Sequence, residues 1–236
     1  MKTAAIITNY NQGQFAQTAI QSIEGQSHRP EQCIIVDDCS TDNSIDLIEK
    51  AIKNSILKWE FIKRDRNGKP AGCRNSGIQA LRKDIEVVAF LDVDDFYHFD
   101  KILKSVEVLE TFPSVGLVYS DYITYDVINN KRIREFKHKF SQSMLEQACI
   151  VSTNSVIRRS VLDKVGFFNT NLYGVEDYEM WLRISMIAEA YHVGEPLFTY
   201  RQHGGNLTAH HSAYMQAQIP NMKARLTRDG FYVPAQ

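Results

Sequence analysis

No Cys-x-x-Cys pair occurs in this chain, and its four cysteines, Cys33, Cys39, Cys73 and Cys149, are too widely spaced to suggest a zinc site or a disulfide framework. They read as reduced thiols of a cytosolic protein. Excess charge is missing as well, since 27 Lys and Arg face 28 Asp and Glu for a net charge of −1. So balanced a chain has no global electrostatic footprint for nucleic acid. No apolar run approaches the roughly 18 residues that a membrane-spanning helix needs. Met1 to Asn9 turns polar far too early for a signal peptide. No repeat, low-complexity stretch or linker separates two cores. What is present is 44% apolar and 23% charged residues, ordinary for a globular protein with a real core. The expectation is one cytoplasmic domain over residues 1–236.

Strand and helix signals alternate through the first half. Apolar runs predict strands at Thr3 to Thr8, Gln32 to Val36, Trp59 to Ile62 and Val87 to Leu91. Between them helical spacing recurs in Phe15, Ala19, Ile20 and Ile23, in Ile45, Ile48, Ile52 and Leu57 after Ser44, in Arg74 to Leu81, and in Lys101 to Leu109. Such alternation predicts an α/β domain with a mixed, mainly parallel sheet flanked by helices. The second half breaks the rhythm. Val115 to Tyr119 and Ile150 to Ile157 read as strands and Tyr122 to Arg134 as an irregular hairpin around Asn129-Asn130. A helix follows Glu176-Asp177, with Trp181, Ile184 and Ile187 apolar.

Three predicted strands end in polar groups: Thr8 to Asn11, Asp37-Asp38, and Asp92-Val93-Asp94-Asp95. Parallel strands deliver their carboxyl ends into the ligand crevice of α/β folds. Carboxylates crowded at such a point repel one another and are stabilised by a cation; Mg²⁺ or Mn²⁺ suits hard oxygen ligands and also holds phosphates. Taken alone, each motif equally suits an acidic turn that caps the next helix. Convergence of three strand ends favours the crevice.

The order of these pieces resembles glycosyltransferase family two, the inverting enzymes of the GT-A fold. The resemblance is carried by Ile6 to Asn11, Ile34 to Asp42, Gly72 to Gly77, Phe90 to Asp95, Gly174 to Trp181 and Tyr200 to His203, which together span nearly the whole chain. It implies a Rossmann-like nucleotide-sugar half over about residues 1–120 and an acceptor half over about 121–236. It implies a UDP-sugar donor, Mn²⁺ or Mg²⁺, and a saccharide or lipid-linked acceptor. Thr8, Tyr10 and Asp38 would line the uracil site, Tyr10 by stacking and Asp38 by accepting from the base N–H. Arg74 would lie near the nucleotide and Asp92 near the ribose. The metal ligands would come from Asp92, Asp94, Asp95 and His203, in a combination the sequence leaves open. Asp177 would be the general base, with Glu176 and Trp181 in the acceptor site.

Two rival readings belong beside this one. A sugar nucleotidyltransferase would carry a Gly-rich basic loop after the first strand, where this chain has Thr8 to Gly13 without a basic residue. A non-catalytic binding module of the same fold has no need of Asp177 together with Asp92 and Asp94. The weakly basic tail, with Lys223, Arg225 and Arg228, suits either an anionic membrane at the cytoplasm's inner face or a solvated terminal helix. His210 and His211 receive no role.

Overall fold

The computed structural model describes residues 1–231; residues 232–236 of the expected domain lie outside the described residues. Strands β1 (Thr3–Asn9), β2 (Gln32–Asp37), β3 (Trp59–Lys63) and β4 (Val87–Asp92) pair in parallel in the order β3-β2-β1-β4. Side chains alternate between faces along a strand, and both faces of this half are covered. Ile6, Ile34, Val36, Val88 and Phe90 enter one apolar core, while Ile7, Ile35, Ala89 and Leu91 enter the other. This is why the strands read as unbroken apolar runs. Register aligns their carboxyl ends, with Thr8 opposite Val36 on one side and Asp92 on the other.

The connecting helices are α1 (Ala16–Glu24), α2 (Ser44–Lys53), α3 (Lys69–Gln79) and α4 (Lys101–Thr111). Helix α3 starts five residues before the predicted Arg74, with Pro70 in its first turn, where a missing N–H costs nothing. It lies close on β1. A Cβ on Gly77 would come within 2.5 Å of Ile6 Cγ2, so the glycine permits the approach that sets Arg74 at the sheet's edge.

Beyond β4 the sheet turns mixed. Strand β8 (Val156–Arg158) is antiparallel to β4 and to β6 (Val115–Asp126), and β9 (Glu189–Gln202) runs parallel to β6. The two-residue β5 (Phe96–Tyr97) closes the far edge against β9, and β7 (Lys131–Glu135) folds back on β6 as the expected hairpin. Helices α5 (Gln142–Gln147), α6 (Arg159–Val165), α7 (Glu176–Ser185) and α8 (Leu207–Arg228) complete the described residues.

Several expectations need correction. The strand predicted from Ile150 is only three residues long, because Ser152 to Ser155 engage side-chain and main-chain partners instead of a ladder. Ile187 lies past the end of α7 and is 51% exposed. The tail is a largely solvated helix, as one of its two readings had it, but Met222 and Leu226 pack into the core, Lys223 donates to the Glu146 carbonyl, and Arg225 and Arg228 meet Asp229.

Candidate active site

A cleft of about 960 Å³ opens at the carboxyl edge of β1, β2 and β4. Its lining includes Thr8, Tyr10, Asp38, Arg74, Asp92, Asp94, Asp95, Glu176 and Asp177, so residues scattered over most of the chain meet at one place. Asn11 and Lys69, also on the wall, have φ of 52° and 60°, and Cys39 beside Asp38 has 64°. Left-handed backbone at non-glycine residues is costly and concentrates where surrounding structure enforces it, often at functional sites.

On the nucleotide side Asp37 is the structural member of its pair. It accepts from Asn9 Nδ2 at 2.6 Å, the Ser40 N–H at 2.9 Å and Ser40 Oγ at 2.6 Å. Asp38 Oδ1 accepts the Gly68 N–H at 2.9 Å. Arg64 Nε also lies 2.8 Å from that oxygen, an ion contact in which the N–H is not aligned as a hydrogen bond. The Lys69 N–H also stabilises the Asp38 carboxylate. Burial raises the Asp38 pKa against the pull of the Gly68 N–H and Arg64. Tyr10, 46% exposed on the wall, offers an open aromatic face.

Asp92 Oδ1 accepts from Thr8 Oγ1 at 2.8 Å and Arg74 Nη2 at 2.9 Å. The Arg74 guanidinium, 3% exposed, reaches across to Glu176 Oε1 at 2.8 Å. It therefore ties β4 to α7, and the two carboxylates raise its pKa further. With two of its nitrogens committed and Nε buried without a partner, Arg74 holds carboxylates and is not aimed at a phosphate. Its expected place near the nucleotide stands only as this indirect one, through Asp92.

Asp95 is 3% exposed, and both its oxygens are occupied, by the Arg201 N–H at 2.9 Å and by Asn154 Nδ2. Burial, then the charges of Asp94 and Asp92, push its pKa well above the usual carboxylate range. Asp95 is thus corrected from metal ligand to structural anchor. Asp94 Oδ2 faces His203 Nε2 at 3.1 Å and Asn206 Nδ2 at 3.4 Å. His203 Nδ1 accepts the Gly205 N–H at 3.1 Å, which leaves the ring proton on Nε2, donated to Asp94. In that tautomer His203 supports Asp94. Among the described residues no group of three or more His, Cys, Asp or Glu is arranged to hold an ion alone. The donor set still fits Mg²⁺ or Mn²⁺, which commonly take one or two carboxylates and complete their shell with water and substrate phosphates.

On the opposite wall Gly174, at φ 76°, donates its N–H to Glu176 Oε2 at 2.6 Å, so with Arg74 on Oε1 the Glu176 carboxylate is fully engaged. Asp177 accepts the Tyr178 N–H at 2.7 Å and Thr153 Oγ1 at 3.3 Å. Desolvation first, and then the neighbouring charge of Glu176, push its carboxyl up to about 6, against the opposing pull of Arg74. Trp181 does not reach the cleft. It is 1% exposed in the core, edge-on to Phe168 with ring centroids 6.3 Å apart, so its assignment to the acceptor site is withdrawn.

The sequence reading missed Asn154, Asn206 and Lys137. Asn154 accepts the Asp92 N–H at 3.1 Å while donating to Asp95, and the polar run Ser152 to Ser155 inside an apolar strand pattern was the signal for it. Asn206 stands in the polar loop after Tyr200. Lys137 lines the cleft with its ammonium 5.6 Å from the centroid of the Tyr122 ring.

A mixed α/β sheet whose parallel strand ends gather carboxylates and an aromatic in one cleft defines an α/β protein of GT-A type. The chain belongs to Glycosyl transferase family 2, whose family model matches residues 4–166. It is 33% identical over 178 residues to an uncharacterized glycosyltransferase of Nostoc sp., covering 70% of this chain and 53% of that protein. It is 28% identical over 207 residues to the Escherichia coli UDP-Glc:alpha-D-GlcNAc-diphosphoundecaprenol beta-1,3-glucosyltransferase WfaP, covering 86% and 78%. Among solved structures, the Pyrobaculum calidifontis mannosyltransferase PcManGT in complex with GDP-Man and Mn²⁺ superposes with a TM-score of 0.75 at 17% identity, over 96% of this chain and 64% of that one. Staphylococcus aureus TarS in complex with UDP gives 0.70 at 19%, over 86% and 61%. These two likenesses are of fold. The chain spans 53%, 23% and 34% of the first three curated relatives it matches.

Proposed function

We propose that this chain transfers a hexosyl or N-acetylhexosaminyl group from a UDP-sugar to a hydroxyl of a saccharide or lipid-linked acceptor, with inversion, at the cytoplasmic face of a membrane. The observation that carries this reading is Asp177, a carboxyl with its pKa pushed up to about 6 on the same cleft as Asp92 and Asp94. General bases work best with a pKa near the operating pH. Asp177 takes the acceptor proton as the hydroxyl oxygen bonds to the anomeric carbon and the bond to the nucleoside diphosphate breaks. Tyr10 gives the uracil a stacking face with Thr8 beside it, Asp38 accepts from the base N–H, and Asp92 stands at the ribose. Glu176 and Arg74 fix the angle between the two walls. Asp94 would hold Mn²⁺ or Mg²⁺ against the donor phosphates, an ion that offsets charge on the departing diphosphate.

Support comes from family membership, from WfaP, whose name states a UDP-glucose donor and a diphosphoundecaprenol-linked acceptor, and from the TarS complex with UDP. The test is turnover against a panel of nucleotide sugars with and without Mn²⁺. UDP-sugars turned over faster than GDP-, ADP- or CMP-sugars, with a gain on adding metal, is the expected result. Faster turnover of GDP-sugars would show the base pocket misread, and no metal gain would remove Asp94's role.

A further inference from the structure

The hairpin that β7 makes with β6 is unlike the rest of the surface. Residues 127–140 carry Lys131, Arg132, Arg134, Lys137 and Lys139 against the single carboxylate Glu135, in a chain whose net charge is −1. Of those five cations only Arg134 forms an ion pair among the described residues, with Asp121 at 3.1 Å. The same segment exposes apolar side chains: Ile128 is 78% exposed, Phe136 71%, Ile133 44% and Val127 39%. β7 is exposed at four of its five residues, so nothing in the chain covers it.

We infer that this hairpin is a docking surface for an anionic lipid bilayer. Clustered Lys and Arg are drawn to anionic headgroups, and exposed aliphatic and aromatic side chains beside them gain by entering the headgroup boundary. A nucleic acid would satisfy the cations but would leave Ile128 and Phe136 in water, which is why the mixed surface favours lipid. The hairpin's place in the fold agrees. Tyr122, opposite Glu135 in the ladder, and Lys137, just past β7, both line the cleft, so the docking surface begins at the cleft's rim. A bilayer holding the hairpin therefore brings the head group of a lipid-borne acceptor to the wall that carries Asp177. The inference deepens the proposed acceptor class and rests on that reading for its purpose, though the binding itself does not.

The test is sedimentation of the full chain with vesicles of phosphatidylcholine alone and of phosphatidylcholine mixed with phosphatidylglycerol. The expected result is partitioning to the mixed vesicles only, lost on adding salt. Each basic residue near an anionic surface is worth roughly a fivefold factor, so Lys131→Gln with Arg132→Gln should cut partitioning about 20-fold. Ile128→Ser with Phe136→Ser should weaken it as well. All four positions are exposed, and unchanged melting temperatures would show the fold intact. Equal sedimentation with both vesicle types, or variants that bind as well as the parent, would overturn the inference. So would single-stranded DNA binding as tight as vesicle binding and indifferent to the Ile128 and Phe136 changes. UDP affinity measured on the same variants should not move. Loss of UDP binding by the parent chain would strike the proposed function and leave the vesicle result standing.

Discussion

Asp94-Asp95 on the donor wall of the cleft and Glu176-Asp177 on the acceptor wall are both acidic doublets, and they divide their work in the same way. One member is buried with both oxygens engaged: Asp95 by Asn154 and the Arg201 N–H, Glu176 by Arg74 and the Gly174 N–H. The other stands half-buried with its carboxylate toward the cleft. The order along the chain is reversed, because Asp94-Asp95 follows a strand end and Glu176-Asp177 opens a helix. What differs is electrostatics. Glu176 is ion-paired with Arg74 at 2.8 Å, while Asp95 accepts only from neutral donors and feels the Arg201 guanidinium without pairing with it, so burial and then Asp94 and Asp92 raise its pKa. The acceptor doublet has its counter-cation in direct contact; the donor doublet has Arg201 only through space.

The comparison is broken most decisively at Asp177. Asp177→Asn keeps an oxygen for the Tyr178 N–H, and the Thr153 hydroxyl can turn to accept from the new amide. It cannot take a proton, so turnover should fall by about two to four orders of magnitude with UDP affinity unchanged. The melting temperature should hold or rise, since a like charge beside Glu176 is gone. Normal turnover in steady-state assay would make Asp177 a helix-terminal residue only.

Asp95→Asn and Glu176→Gln test the buried members. In each, an amide N–H₂ replaces an oxygen facing a donor: Asn154 Nδ2 in one case, and the Gly174 N–H or Arg74 in the other. An unmatched buried donor costs about 1–3 kcal/mol. Chemical denaturation should show both variants destabilised by that order, whereas Asp94→Asn should not be. Equal stability of all three would erase the division of labour.

How far this arrangement could be read in the sequence follows from its physics. The strand ends were legible because the buried parallel strands are continuous apolar runs and their polar terminations stand out. Asp94 could not be told from Asp95, nor Glu176 from Asp177, because partners 59 to 112 residues away decide which carboxylate is engaged. Trp181 read as a binding aromatic and Arg74 as a nucleotide-side cation for the same reason. Residue type gives a capability, and packing decides whether a Trp or an Arg faces the cleft or serves the core. Met222 and Leu226 stand one helical turn apart, a buried pair the sequence reading passed over for the charges beside it, and the exposed hairpin residues lay inside a segment read only for its turn.

Asp94→Asn should act on binding, not on stability. The gain in UDP affinity on adding Mn²⁺, measured by calorimetry, should shrink by at least about tenfold. Asp95 should respond indirectly, since a divalent ion at Asp94 offsets one of the charges that raise it. Identical UDP affinity with EDTA and with Mn²⁺ in the parent chain would remove the metal from this wall.

The smallest effect expected is in pH dependence. A base with its carboxyl at about 6 predicts turnover that rises with pH through about 6 and then levels, a limb that Asp177→Asn should abolish in whatever residual activity remains. Stability moves the other way. The folded pKa lies above the ordinary 3.8, so Asp177 favours the folded state below about 4, and that contribution is lost as pH rises through about 6. The melting temperature of the Asn variant relative to the parent should therefore climb between about pH 4 and 6 and stay level above. A difference independent of pH would mean that Glu176 and burial do not raise Asp177, and the acceptor doublet would then have no poised member.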